Sequence, residues 1–161
     1  MYEPASAEQR EMLARVVREL EHSAVPDEAL ATVKRGRIGP VEFGRVRLVP
    51  AGRAWRLGAI LLDRDGRLYS SGEVTRAVEP LRGVANKSPE AEERREWRRA
   101  AVRGRFAPGE VVNFGHQLLD PASGVGPVTV ADGILMITWN PAATPRPLQA
   151  YLAERIALLH E

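Results

Sequence analysis

Two Asp-Gly pairs, Asp65-Gly66 and Asp132-Gly133, restrict the fold of this chain more than any other feature. Both residue types tolerate positive φ, which the tightest hairpin turns demand. The first pair follows the apolar run Leu57-Gly58-Ala59-Ile60-Leu61-Leu62. The second sits between Val128-Thr129-Val130 and Ile134-Leu135-Met136-Ile137-Thr138-Trp139. Each pair therefore predicts two antiparallel strands joined by a turn, and a chain with two such hairpins is built around an antiparallel sheet.

The remaining strands are read from alternation. Val41-Glu42-Phe43 alternates, Gly44 shifts the phase, and Val46-Arg47-Leu48 alternates again, which predicts a bulged or bent strand. Pro50-Ala51-Gly52 predicts a turn. A strand from Trp55 to Leu62 carries an unbroken apolar run, as expected of a central strand covered on both faces. Its returning partner, Arg67 to Val78, places Leu68, Val74 and Val78 at even positions, with Arg76 out of character among them. A further strand is predicted over Glu110 to His116.

Helices are marked by caps and 3.6-residue periodicity. Ser6 with Gln9 forms a capping-box signature, and Leu13, Val16, Val17 and Leu20 then recur on one face, predicting a helix over 6–22. Glu11 and Arg15 stand four apart on its wet face as an expected ion pair. Pro26 through Lys34 predicts a second, shorter helix, closed by Gly36. Ser88-Pro89-Glu90 opens a helix reaching Arg103 before Gly104, with acids first and arginines last. Residues 79–87 read as the loop before it, and a C-terminal helix is expected over 146–160. The order lacks repeated βαβ alternation. The expectation is a two-layer α+β fold, a mainly antiparallel sheet of about five to six strands with helices packed on it. At 161 residues the chain reads as a single domain, 1–161, able to bury its own core.

Composition removes several chemistries. There is no cysteine, so disulfides, thiolate nucleophiles and Cys-based metal sites are excluded. His22, His116 and His160 are scattered, and Asp63-Arg64-Asp65-Gly66 opens like a calcium loop without its later ligands. No phosphate-cradling glycine motif is present, since Gly124-Val125-Gly126-Pro127 meets a proline before any helix. No metal and no cofactor is indicated. No apolar run approaches the roughly 20 residues of a membrane helix. Met1-Tyr2-Glu3-Pro4 lacks the order of a secretory signal, so the cytoplasm is the expected compartment and no membrane partner is expected.

Charge is the most informative remaining feature. Net charge is only +2, yet Arg supplies every basic residue except Lys34 and Lys87. Residues 34–56 hold seven bases (Lys34, Arg35, Arg37, Arg45, Arg47, Arg53 and Arg56) against Glu42 alone, whereas residues 106–145 hold no base. Arg35, Arg37, Arg45 and Arg47 are therefore candidate anion-binding residues for phosphate or nucleic acid. Arg76 is a further candidate, either binding an anion in a groove or snorkelling from a sheet edge. The arginines of the 89–103 helix either extend that patch or pair with Glu90, Glu92 and Glu96.

Catalytic constellations are sparse. No Gly-x-Ser-x-Gly elbow and no Ser-x-x-Lys pair exist. His116 lies near Asp120 and Glu110, and a histidine oriented by a carboxylate can act as a base, which makes these three the candidates for a small hydrolase. His116 also shares strand parity with Val112 and Phe114, as a core-edge residue would.

Gly66-Arg67-Leu68-Tyr69, Gly72-Glu73-Val74-Thr75-Arg76, Gly104-Arg105-Phe106 and Gly109-Glu110-Val111-Val112-Asn113-Phe114 together resemble small uncharacterised proteins of high-GC bacteria, some of which carry the label glutaminase. The resemblance implies a bacterial protein. Serine-dependent glutaminases use a Ser-x-x-Lys nucleophile that this chain lacks, so the activity does not transfer. The leading expectation is a non-catalytic interaction or ligand-binding module. Its partner is an unidentified protein or a second copy meeting through Trp97 and the 134–139 hairpin. Phosphate or nucleic-acid binding and His116-dependent hydrolysis are the alternatives.

Overall fold

The computed structural model describes residues 6–38, 41–42, 45–81 and 88–161, with the side chains of residues 37, 38, 41 and 42 outside that description. The expected phase slip at Phe43-Gly44, most of the 79–87 loop and Met1-Tyr2-Glu3-Pro4 lie outside the described residues. The fold is α+β. Helix α1 spans Ala7–His22, followed by β1 (Glu28–Lys34), β2 (Arg37–Ile38), β3 (Val41–Glu42), β4 (Arg47–Leu57), β5 (Ile60–Leu62), β6 (Leu68–Ser70) and β7 (Glu73–Arg76). Helix α2 (Pro89–Arg103) precedes β8 (Val111–Phe114), β9 (Gln117–Leu118), β10 (Val128–Ala131), β11 (Ile134–Ile137), β12 (Arg146–Pro147) and helix α3 (Leu148–Leu159).

The main sheet has seven strands in the order β7-β8-β1-β4-β5-β6-β9, more than the five to six expected. Most of its pairings are antiparallel, as expected, but the sheet is mixed, because β1 runs parallel to β8. A three-stranded sheet β10-β11-β12 and the β2–β3 pair accompany it. Among the described residues no helix is long and apolar enough to cross a membrane.

Contacts divide the chain into two compact units, each with its own core. The first comprises residues up to Asp27, Ala54–Ser71 and Gln117–Glu161. Helix α1 forms as its capping box dictates: Ser6 Oγ accepts from Gln9 N at 3.2 Å, and Gln9 Oε1 accepts from Ser6 N at 3.1 Å. Its stripe of Met12, Leu13, Val16, Val17 and Leu20 packs with Trp55, Leu57, Leu62, Leu135, Leu152 and Ile156. Glu11 pairs with Arg18 at 3.0 Å, not with Arg15, so the surface pair reaches across two turns.

The run from Trp55 to Leu62 is not one strand. It folds back at Gly58-Ala59, so that Leu57 faces Ile60 and Trp55 faces Leu62. Gly58 has φ +67° and Ala59 is not among the positive-φ residues, which suits a two-residue hairpin with glycine first. Tyr151 of α3 pins this turn: its hydroxyl donates to Leu57 O at 3.1 Å and accepts from Ala59 N at 2.9 Å. A Cβ on Gly58 would collide with that hydroxyl. Asp65-Gly66 then joins β5 to β6 as expected, with Asp63 Oδ1 accepting from Asp65 N (3.0 Å) and Arg67 N (2.8 Å). Asp132 and Gly133, both at positive φ, close the β10–β11 hairpin.

The second unit comprises Glu28–Arg53 and Gly72–His116. The helix expected over Pro26–Lys34 is strand β1. Ala29, Leu30 and Ala31 are buried in succession, as in a strand covered on both faces, and β1 pairs with β8. Nor is Pro50-Ala51-Gly52 a turn, because β4 continues through it. The returning strand stops at Ser70, and β7 pairs instead with β8, placing Glu73 opposite Phe114 and Thr75 opposite Val112. Helix α2 spans the expected residues, with Ser88 Oγ accepting from Ala91 N at 3.2 Å. It packs Ala100 and Ala101 with Ala29, Leu48, Val112 and Phe114. Gly104 follows it, and a Cβ there would run into the Leu48 carbonyl.

Candidate functional site

The arginines of α2 divide by helical position. Arg95 and Arg99 contact Glu92 at 3.0 and 3.2 Å, while Arg99 and Arg103 contact Glu96 at 3.3 and 2.8 Å. Arg103 also donates to Val46 O at 2.6 Å. Burial pushes the Glu96 carboxyl up, but the hydrogen bonds from Arg103 and Arg99 outweigh it and hold the group below its usual range. Glu92 is lowered by its hydrogen bonds from Arg99 and Arg95. The expected zipper along the helix is therefore real, but it takes only these arginines. Arg94 and Arg98, one turn apart with Trp97 between them, make no ion pair among the described residues.

Those two arginines line a groove against β7. Its walls are Glu73, Val74, Thr75 and Arg76 from the strand, Arg94, Trp97 and Arg98 from the helix, and Phe114 from β8; its volume is about 290 Å³. Arg76 is exposed and, among the described residues, is held by one bond, from its Nη1 to Gly109 O at 3.3 Å. The Trp97 ring packs on Phe114 with centroids 4.3 Å apart. Its indole Nε1 is buried and has no acceptor among the described residues. Three arginines and one carboxylate, Glu73, thus line the same groove.

The first unit contains a larger cleft, about 610 Å³, between α1 and the β5–β6 turn. Leu13, Val17, Leu68, Leu119 and Leu135 floor it, and Arg10, Arg18, Arg64 and Arg67 stand around it with Glu21 and Asp65. Here the arginines are engaged. Arg18 holds Glu11, and Arg64 holds Asp27 at 2.6 Å and Glu21 at 3.5 Å while lying 4.6 Å from the Trp55 ring centroid. Arg67 lies 3.9 Å from Asp63 and 3.4 Å from Asp65, which raise its pKa.

The residues singled out from sequence fare differently. Arg76 lines the groove; the anomaly it posed is reversed, because Thr75 and Ala77 are buried and Val74 and Val78 are exposed. Arg35, Arg45 and Arg47 are exposed and line neither cleft. Arg37 sits opposite Glu42 in the β2–β3 pair, and its side chain is outside the described residues. Glu110 accepts from Arg53 and from Ala107 N, and so ties β4 to the turn before β8. Asp120 caps a short 3₁₀ turn, accepting from Ala122 N at 3.2 Å. Both carboxylates near His116 in sequence thus hold backbone or ion-pair positions. His116 itself is half-buried, and that burial lowers its pKa.

Arg94 and Arg98 belonged to the wider helical cluster, but nothing in the linear pattern separated them from Arg95, Arg99 and Arg103. Only their phase relative to Trp97 does so. Among the described residues no group of three or more His, Asp or Glu side chains is placed to hold a metal ion. No protein-family model, no curated protein and no solved structure matches this chain, so the groove's chemistry is read from its own side chains.

Proposed function

We propose that this protein is a non-catalytic ligand-binding module whose ligand is anionic and seats in the α2–β7 groove. One observation carries the reading: Arg76, Arg94 and Arg98 line the same groove while the other helical arginines described above are neutralised by Glu92 and Glu96. Uncommitted guanidinium groups beside low-dielectric aromatic walls favour an anion, because field lines are focused and planar donors match carboxylate and phosphate oxygens. The larger cleft of the first unit supports a second, weaker reading. Its rim charges are mutually paired over an apolar floor, and its volume suits a small uncharged molecule.

The test is titration with inorganic pyrophosphate, followed by Trp97 fluorescence and calorimetry at low salt. Saturable binding is expected, weakening as salt rises. The R76A/R94A/R98A variant should lose at least tenfold in affinity with an unchanged circular dichroism spectrum. Absence of binding, or equal binding by this variant, overturns the proposal. Binding of a single-stranded oligonucleotide that survives the triple substitution would move the site to Arg35, Arg45 and Arg47.

A further inference from the structure

The groove's wall has a property that its charge does not explain. Side chains of a strand alternate between its two faces, so a groove against one face is lined by every second residue. Here Glu73, Val74, Thr75 and Arg76 all line it in succession. A groove touching both parities follows the rim of the strand, where backbone N–H and C=O groups are presented. β7 is the end strand of the seven-stranded order, and among the described residues it pairs only with β8. On the face away from α2 it carries Val74 and Arg76, with Val74 46% exposed. An edge strand with an exposed β-branched side chain is a template for another strand.

We propose that this edge accepts an extended, acidic segment of a partner protein as an added strand, with its carboxylates on Arg94 and Arg98. The proposal rests on the anion reading of the same groove and names its ligand. Spacing supports it. Residues four apart on a helix are separated by about 6 Å along its axis. Acidic side chains two apart on a strand are separated by about 6.6 Å on one face. An alternating segment therefore offers one carboxylate to each arginine, and an intervening apolar side chain flanks Val74. Backbone pairing supplies affinity and the arginines select for acid, the usual division of labour in strand addition. Glu73, the one acid on the wall, disfavours a carboxylate beside it and so helps set the register.

The experiment uses the full chain and a blocked peptide, Ac-Val-Glu-Val-Glu-Val-Glu-NH2, with two variants N-methylated at either all valines or all glutamates. Methylation removes the backbone donors of one peptide edge only. The parent peptide and one methylated form are expected to bind, and the other methylated form to lose at least tenfold. Arg94→Ala with Arg98→Ala should weaken the parent peptide at least tenfold. Slowed amide exchange in residues 73–76 should accompany binding. Equal binding by all three peptides overturns strand addition and leaves the anion site standing, as does binding of pyrophosphate without the peptide. Failure of both probes overturns both readings. A phosphorylated peptide of unrelated sequence binding as tightly as the alternating one would also overturn it, because charge alone would then suffice.

Discussion

Each of the two units sets arginines around a cleft, and the clefts differ in what those arginines already hold. In the first unit, Arg18, Arg64 and Arg67 face carboxylates supplied by α1, the segment before β1 and the β5–β6 turn. In the second, Arg76, Arg94 and Arg98 share the groove lining with one carboxylate, Glu73, among the described residues. The larger cleft is therefore the less electropositive one. Volume and arginine number alone would have chosen it as the anion site. The state of pairing reverses that choice, because an arginine satisfied by a carboxylate contributes little net field to a third group.

The sharpest way to break this comparison is charge reversal in each cleft. Arg94→Glu with Arg98→Glu should weaken pyrophosphate binding at least a hundredfold, about 2.7 kcal/mol. Arg18→Glu in the first unit should change it less than twofold, both measured by calorimetry at one salt concentration. Equal losses would show that overall charge, not local pairing, governs binding.

Next in size are the backbone contacts at the Gly58 turn of the first unit. Gly58→Ala forces a side chain onto a φ of +67° and against Tyr151, and should cost about 2–4 kcal/mol by urea unfolding. Tyr151→Phe keeps the ring but strands Leu57 O and Ala59 N, and should cost about 1–3 kcal/mol. Hydrogen exchange of both variants sharpens the comparison. Protection lost in β5 alone would show separate stabilities, whereas matching loss in β8 would show one cooperative transition.

The smallest effect is pH dependence. Burial places the His116 pKa below its usual 6.5, so in the window between the two values the folded state binds fewer protons than the unfolded chain. The neutral imidazole's contribution is fully present above about pH 6.5 and is lost as pH falls through the lowered value. His116→Gln should flatten that part of the stability–pH curve. An unchanged curve would remove His116 from it.

Local chemistry was legible in the sequence wherever one segment carried its own signal. Helices α1 and α2 start at Ser6 and Ser88 because capping hydroxyls satisfy the first free N–H groups within the same few residues. Asp65-Gly66 and Asp132-Gly133 form turns because positive φ is a local property. The absence of cysteine and of any apolar helix of spanning length among the described residues likewise needed no contacts. What only the tertiary structure decided depends on neighbours far away in the chain. β1 is a strand because β8 pairs beside it, though Pro26 to Lys34 also satisfies a helical pattern. The apolar run through Gly58 is a hairpin because Tyr151, more than ninety residues away, holds its turn. The candidate site follows the same rule. Arginine content was visible from the start, but whether a guanidinium is already spent depends on which carboxylate the fold brings within reach.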